Sequence, residues 1–154
     1  IFRIINSGGN WVKEYREQDQ RDHKLAIGNY LSLDKAWHGV HYLLTGTDGS
    51  GKYPLGVVMT GGRQLFEMGY GPARGLTSQQ VKEVNEALQQ VDIKTVAKKW
   101  NPRSPSFPKN RIMGFMELRD DDLEYVLFHL RAMKLFFANA VKYFPNHGVI
   151  TFLS

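Results

Sequence analysis

The chain has 154 residues, 42% of them hydrophobic, which suits one core rather than two and predicts a single domain over residues 1–154. A formal net charge of +5 permits an acidic partner without requiring one, and the absence of cysteine excludes disulfides, thiolate metal sites and a cysteine nucleophile. No apolar run reaches the ~20 residues that span a bilayer and no charged-then-apolar signal opens the chain, so the expectation is a soluble, cytoplasmic protein with no membrane partner.

The chain begins at Ile1 rather than methionine, so an earlier N-terminus is expected to have been lost. Phe2 to Ile5 reads as a short strand, and the glycine- and asparagine-rich residues 6–10 read as a loop. Residues 13–24 mix four acidic with four basic side chains, as a solvated surface segment does.

A helix follows, with Ser32 or Asp34 as its expected cap. Leu33, Ala36, Trp37, Val40, Leu43 and Leu44 recur at three- and four-residue spacing and form one apolar stripe. Asp34, His38 and His41 fall together on the flank of that stripe, one turn after another. A carboxylate beside two imidazoles suits proton transfer, with Asp34 fixing a histidine tautomer, and makes these three residues the catalytic candidates. The competing reading is that both imidazoles hydrogen-bond at the edge of a core. Two nitrogens from one helix leave a metal short of ligands, so no structural metal and no cofactor are expected. Gly39 costs the helix about 1 kcal/mol relative to alanine, which suggests a close approach by backbone or ligand.

Gly46 to Tyr53 nearly matches the phosphate-loop pattern G-x-x-x-x-G-K-S/T, but the match fails on context. The loop follows a helix instead of a strand, Tyr53 replaces the hydroxyl residue, and Pro54 leads into a second apolar run, Leu55 to Thr60, which reads as a strand. Beyond it Arg63 to Met68 crosses to the glycine-rich turn Gly69 to Gly75. Thr77 and Gln80 form a capping box flanked by the staple positions Leu76 and Val81, and Val81, Val84, Leu88 and Val91 supply the stripe of the helix that follows. Arg74 lies three residues before this cap, so an anion could meet its guanidinium and free helix amides together; the alternative is a structural turn in which Arg74 pairs with a carboxylate.

Ile93, Val96, Ala97 and Trp100 predict a short helix that ends at Pro102 and the proline-containing loop after it. Residues 94–111 carry six basic side chains and no acid, with Trp100 and Phe107 among them, but no recognised nucleic-acid motif accompanies them and nucleic acid is not the expected partner. From Asp120 the residues Leu123, Val126, Leu127, Leu130, Met133, Phe137, Ala140, Val141 and Phe144 mark a long helix, with His129 inside it as a packing residue rather than a ligand. Val149 to Leu153 reads as a closing strand. The expected core is Leu33, Trp37, Val40, Leu44, Val84, Leu88, Leu127, Leu130 and Phe137.

The stretch Leu33 to Gly46, with Pro54-Leu-Gly56, Gly69 to Arg74 and the terminal helix and strand, resembles the YfbM-like family of small bacterial proteins, a domain of unknown function. The resemblance is clearest from about residue 30 to 154. It implies an α/β domain of the α+β type, αβα-like, with helices packed about a small mixed sheet, and it implies no activity. Two function classes stay open. One is an anionic small-ligand pocket formed by the histidine helix and the turn before Thr77, with Trp37, His38, His41, Tyr70 and Arg74 as ligand-binding residues. The other is a module that binds and modulates a partner protein without catalysis.

Overall fold

The computed structural model of the chain describes residues 2–6, 30–102, 104, 107 and 122–152. Of the loop expected over 6–10, Asn6 closes a strand instead, while residues 7–10, the charged stretch 13–24 and most of the proline-containing run lie outside the described residues. Among the described residues five strands form one sheet: β1 (Phe2–Asn6), β2 (Tyr30–Leu31), β3 (Arg63–Glu67), β4 (Pro72–Leu76) and β5 (His147–Thr151), in the order β2-β1-β5-β4-β3. All the pairings are antiparallel, in place of the mixed sheet that the resemblance implies. The physical reason lies in the connections, since β3 and β4 are joined by a tight hairpin and, among the described residues, no helical crossover delivers a parallel neighbour.

Register fixes what each face of the sheet carries. Phe2 pairs with Thr151 and Arg74 pairs with Thr151, while Ile4 and Leu76 both pair with Val149, so these residues line one face. Phe2, Ile4, Leu76 and Val149 belong to the main apolar cluster, which also takes the buried side chains of the helices. Ala73, Ile150 and Phe152 form a smaller cluster, with Leu65, Phe66 and Met68 beside it. Among the described residues the result is an α+β fold with a helical layer on one face of an antiparallel sheet.

That layer holds α1 (Trp37–Thr45), α2 (Val57–Thr60), α3 (Ser78–Gln90), α4 (Ile93–Ala97) and α5 (Asp122–Tyr143), with a 3-10 turn at Asp34–Ala36 leading into α1. The segment expected as a strand at Leu55 to Thr60 is helical in its second half. A short apolar run does not distinguish strand from buried helix; here Gly56, Val57 and Val58 donate backwards to Lys52, Pro54 and Leu55 and turn the chain on itself. The capping box is formed as expected, with Thr77 Oγ1 accepting from the Gln80 amide and the Gln80 side chain accepting from the Thr77 amide. The start of α1 differs from expectation, because neither the 3-10 turn nor α1 has a side-chain cap; Ser32 Oγ instead accepts from the Asp34 amide.

Eight of the nine expected core residues are buried. Trp37 is the exception. It is half-buried at the margin of the cluster, where its ring stacks on His38 at a centroid distance of 4.7 Å and an interplanar angle of 8°.

Candidate functional site

The two histidines of α1 are buried, His38 and His41 being 6% and 1% exposed, so this helix is enclosed on its histidine flank as well as along its apolar stripe. Helix α1 ends at Gly46, whose φ of 76° is the left-handed conformation that lets the chain reverse. The reversed loop then runs back beside the histidines. His38 Nε2 donates to the Asp48 carbonyl, and His41 Nε2 donates to the Ser50 carbonyl at 3.3 Å. Since a carbonyl only accepts, each ring carries its proton on Nε2. Thr45 Oγ1 accepts from the Thr47 amide at 3.1 Å, and the Thr47 hydroxyl donates to the Ser50 carbonyl, which completes the loop. Asp48 and Ser50 thus turn carbonyls inward, whereas a phosphate loop presents amides.

Burial lowers the His41 pKa below its ordinary 6.5; the hydrogen bond to Ser50 opposes this, neighbouring His38 adds to it, and Asp48 opposes it. His41 Nδ1 is buried without a hydrogen-bond partner, so a second proton on this ring would find no acceptor.

Asp34 does not extend the histidine row. Its φ is 44°, in the left-handed region that aspartate tolerates better than most residues, and its exposed carboxylate accepts from the Tyr125 hydroxyl on α5 at 3.0 Å. The Tyr125 ring in turn meets His129 edge-on at 4.7 Å. Burial raises the Tyr125 pKa, and its bond to Asp34 and that carboxylate's charge raise it further, while the Lys35 and Ala36 amides oppose. Burial lowers the His129 pKa, with Asp34 and the Ser32 backbone opposing. The Asp34–Tyr125–His129 grouping escaped sequence reading: Tyr125 and His129 are visibly one turn apart, but nothing in the sequence pairs them with residue 34.

The pinned loop walls a cleft of about 570 Å³. Leu44, Pro54, Leu55 and Ala87 line it with apolar side chains, and Thr45, Thr47, Ser50, Gly51, Lys52 and Tyr53 complete the lining, the last four exposed at its rim. The loop can close on itself because Gly56 lies against the Gly51 backbone, where a Cβ would collide. Across the rim the Tyr53 hydroxyl donates to the Glu83 carboxylate on α3, and Gln79 Nε2 donates to the same carboxylate at 2.8 Å. The Lys52 ammonium is exposed and makes no ion pair among the described residues.

Residues 3–152 match the family described as "Domain of unknown function (DUF1877)". The chain belongs to that family. No curated protein and no solved structure matches it. The resemblance to a domain of unknown function therefore holds at the level of this family description.

Within this DUF1877 chain Trp37 shares α1 with the histidines, whereas the other two expected ligand residues, Tyr70 and Arg74, stand on different elements. Tyr70 sits in the β3–β4 turn, 79% exposed, and Arg74 is half-buried on β4. Helix α1 packs on α5, α2, α4 and the 3-10 turn, whereas the β3–β4 hairpin leans on β5 and α3. The cleft lining includes neither Tyr70 nor Arg74, and it meets the histidine pins only through Ser50. Among the described residues no three His, Asp or Glu side chains gather as a metal-ligand group. The aromatic rings of the basic segment are also committed, since Trp100 and Phe107 are 8% and 5% exposed and pack edge-on at 5.3 Å, which leaves neither face for a base. Lys99 from that segment donates to the Leu43 carbonyl at 2.8 Å, near the end of α1. No helix among the described residues is long and apolar enough to cross a membrane.

Proposed function

We propose that this domain binds a small ligand, an aryl or short alkyl group bearing a carboxylate or phosphate, in the cleft between residues 44–55 and α3. The observation that carries this reading is a cleft of about 570 Å³ lined by Leu44, Pro54, Leu55 and Ala87 together with Lys52, whose ammonium makes no ion pair among the described residues. Its volume falls within the roughly 300–1,000 Å³ of small-molecule sites, and an apolar body with one anionic group matches its lining. In this reading His38 and His41 act through the loop carbonyls they hold and perform no acid–base step. Tyr70 and Arg74 take no part.

Titrating benzoate and phenyl phosphate while following backbone amide resonances tests the proposal. The expected result is saturable shifts confined to residues 44–55 and the facing turn of α3, weakened about fivefold or more in Lys52→Ala, with Arg74→Ala binding like the parent. Shifts centred on Arg74 and the start of α3 would move the site to that corner, and no shift from either compound would reject the cleft.

A further inference from the structure

Helices α3 and α5 lie side by side in the helical layer, yet their outer faces differ in chemistry. That of α3 is polar, with Gln79, Glu86, Gln89 and Gln90 exposed. On α5 the exposed residues include Phe128 at 64% and Leu135 at 62%, two turns apart along one line of the helix. On the same line lie exposed Glu124, Arg131 and Lys142 and half-buried Ala138, at alternating spacings of four and three residues. This is the spacing of a coiled-coil seam set on the solvent side of a helix whose opposite side is already in the core.

We propose that α5 pairs with α5 of a second copy of this chain, antiparallel about a two-fold axis near Met133. The sequence of the seam selects that partner and direction. With the axis there, Glu124 faces Lys142 of the second copy, Phe128 faces Ala138, and Arg131 lays its aliphatic stem on Leu135; the two-fold repeats each contact. A large ring meets a small side chain, and each acidic end meets a basic end. A parallel pair would put Glu124 on Glu124 and Lys142 on Lys142. Neither Glu124 nor Arg131 has an ion pair among the described residues, and the Lys142 ammonium rests 4.8 Å over the exposed Tyr143 ring. One helix pair buries less than the roughly 1,200 Å² of a standard stable interface, so the dimer is weak and concentration-dependent. The inference is independent of the ligand reading, because none of these residues lines the cleft.

Sedimentation equilibrium of the full chain, loaded from about 10 μM to 1 mM, tests it in the concentration range of a weak interface. A reversible monomer–dimer equilibrium is expected in the parent. Glu124→Lys should weaken it about tenfold, since the two-fold doubles each lost charge pair, and Leu135→Asp should abolish it. The double swap of Glu124→Lys with Lys142→Glu should restore dimerisation to within about twofold of the parent by re-forming both pairs. Circular dichroism and urea midpoints verify that these surface variants stay folded. A parent that is monomeric throughout, a dimer indifferent to Leu135→Asp, or a double swap no better than the single would each overturn the proposal.

Discussion

Truncating His41 to alanine removes a ring that is 1% exposed and one of the two pins on the 46–51 loop. Two losses add. The bond to the Ser50 carbonyl is long, at 3.3 Å, and Ser50 is exposed and can be rehydrated, so its loss belongs at the low end of a buried hydrogen bond, about 1 kcal/mol. The vacated volume lies inside a packed helix flank and costs a further ~1–2 kcal/mol in lost contacts. Together they predict a destabilisation of about 2–3 kcal/mol, read as a lower urea midpoint at unchanged slope and a fall in Tm of roughly 4–12 °C. The pH dependence carries a second signature. Because the folded-state pKa of His41 is below the ordinary 6.5, the unfolded chain binds the proton more readily. Stability is therefore full above pH 6.5 and falls as pH drops from there through the folded pKa. His129, also lowered, adds to that acid limb. The alanine variant should show a shallower limb with the His129 contribution left. An unchanged midpoint, or an acid limb as steep as the parent's, would refute the role given to His41.

Tyr125→Phe removes the hydroxyl held by Asp34 at 3.0 Å on an exposed edge, and thermal unfolding should show a loss of about 0.5–1 kcal/mol with Asp34→Asn adding little on top of it. Thr77→Ala breaks the capping box and should cost about 1 kcal/mol by urea denaturation, whereas Thr77→Ser should cost little. Leu130→Ala, at a position with no exposure, should cost ~2–5 kcal/mol and more than Trp37→Ala, whose ring is only partly buried at the margin of the core; the reverse order of midpoints would contradict the burial pattern.

Elements were legible where one local pattern decided them. The α3 helix announced its start through Thr77, Gln80, Leu76 and Val81, and α5 carried its periodicity over six turns, so both formed as read. Val57 to Thr60 was not legible as helix, because a short apolar run fits strand and helix alike and the decision came from bonds back to residues 52–55. Trp37 lay on the apolar stripe, but helical angle alone does not say how wide the buried arc is, and its ring stops at the margin. For the candidate site, the sequence located the helix and the histidines while leaving their partners open. What satisfies His38 and His41 is the main chain of Asp48 and Ser50, and backbone carbonyls have no residue signature. Tyr53, in the cleft wall, meets Glu83 across thirty positions, a long-range contact that spacing does not encode.

His38 and His41 hold the loop that walls the cleft as hydrogen-bond donors. Long-range nitrogen–proton correlation spectra of the imidazoles at pH 7.5 test this role most directly, because they report which ring nitrogen carries the proton. A protonated Nε2 in both rings and a bare Nδ1 in His41 are expected. A proton on Nδ1 with Nε2 bare in either ring would leave the loop carbonyls without their donors and contradict that role.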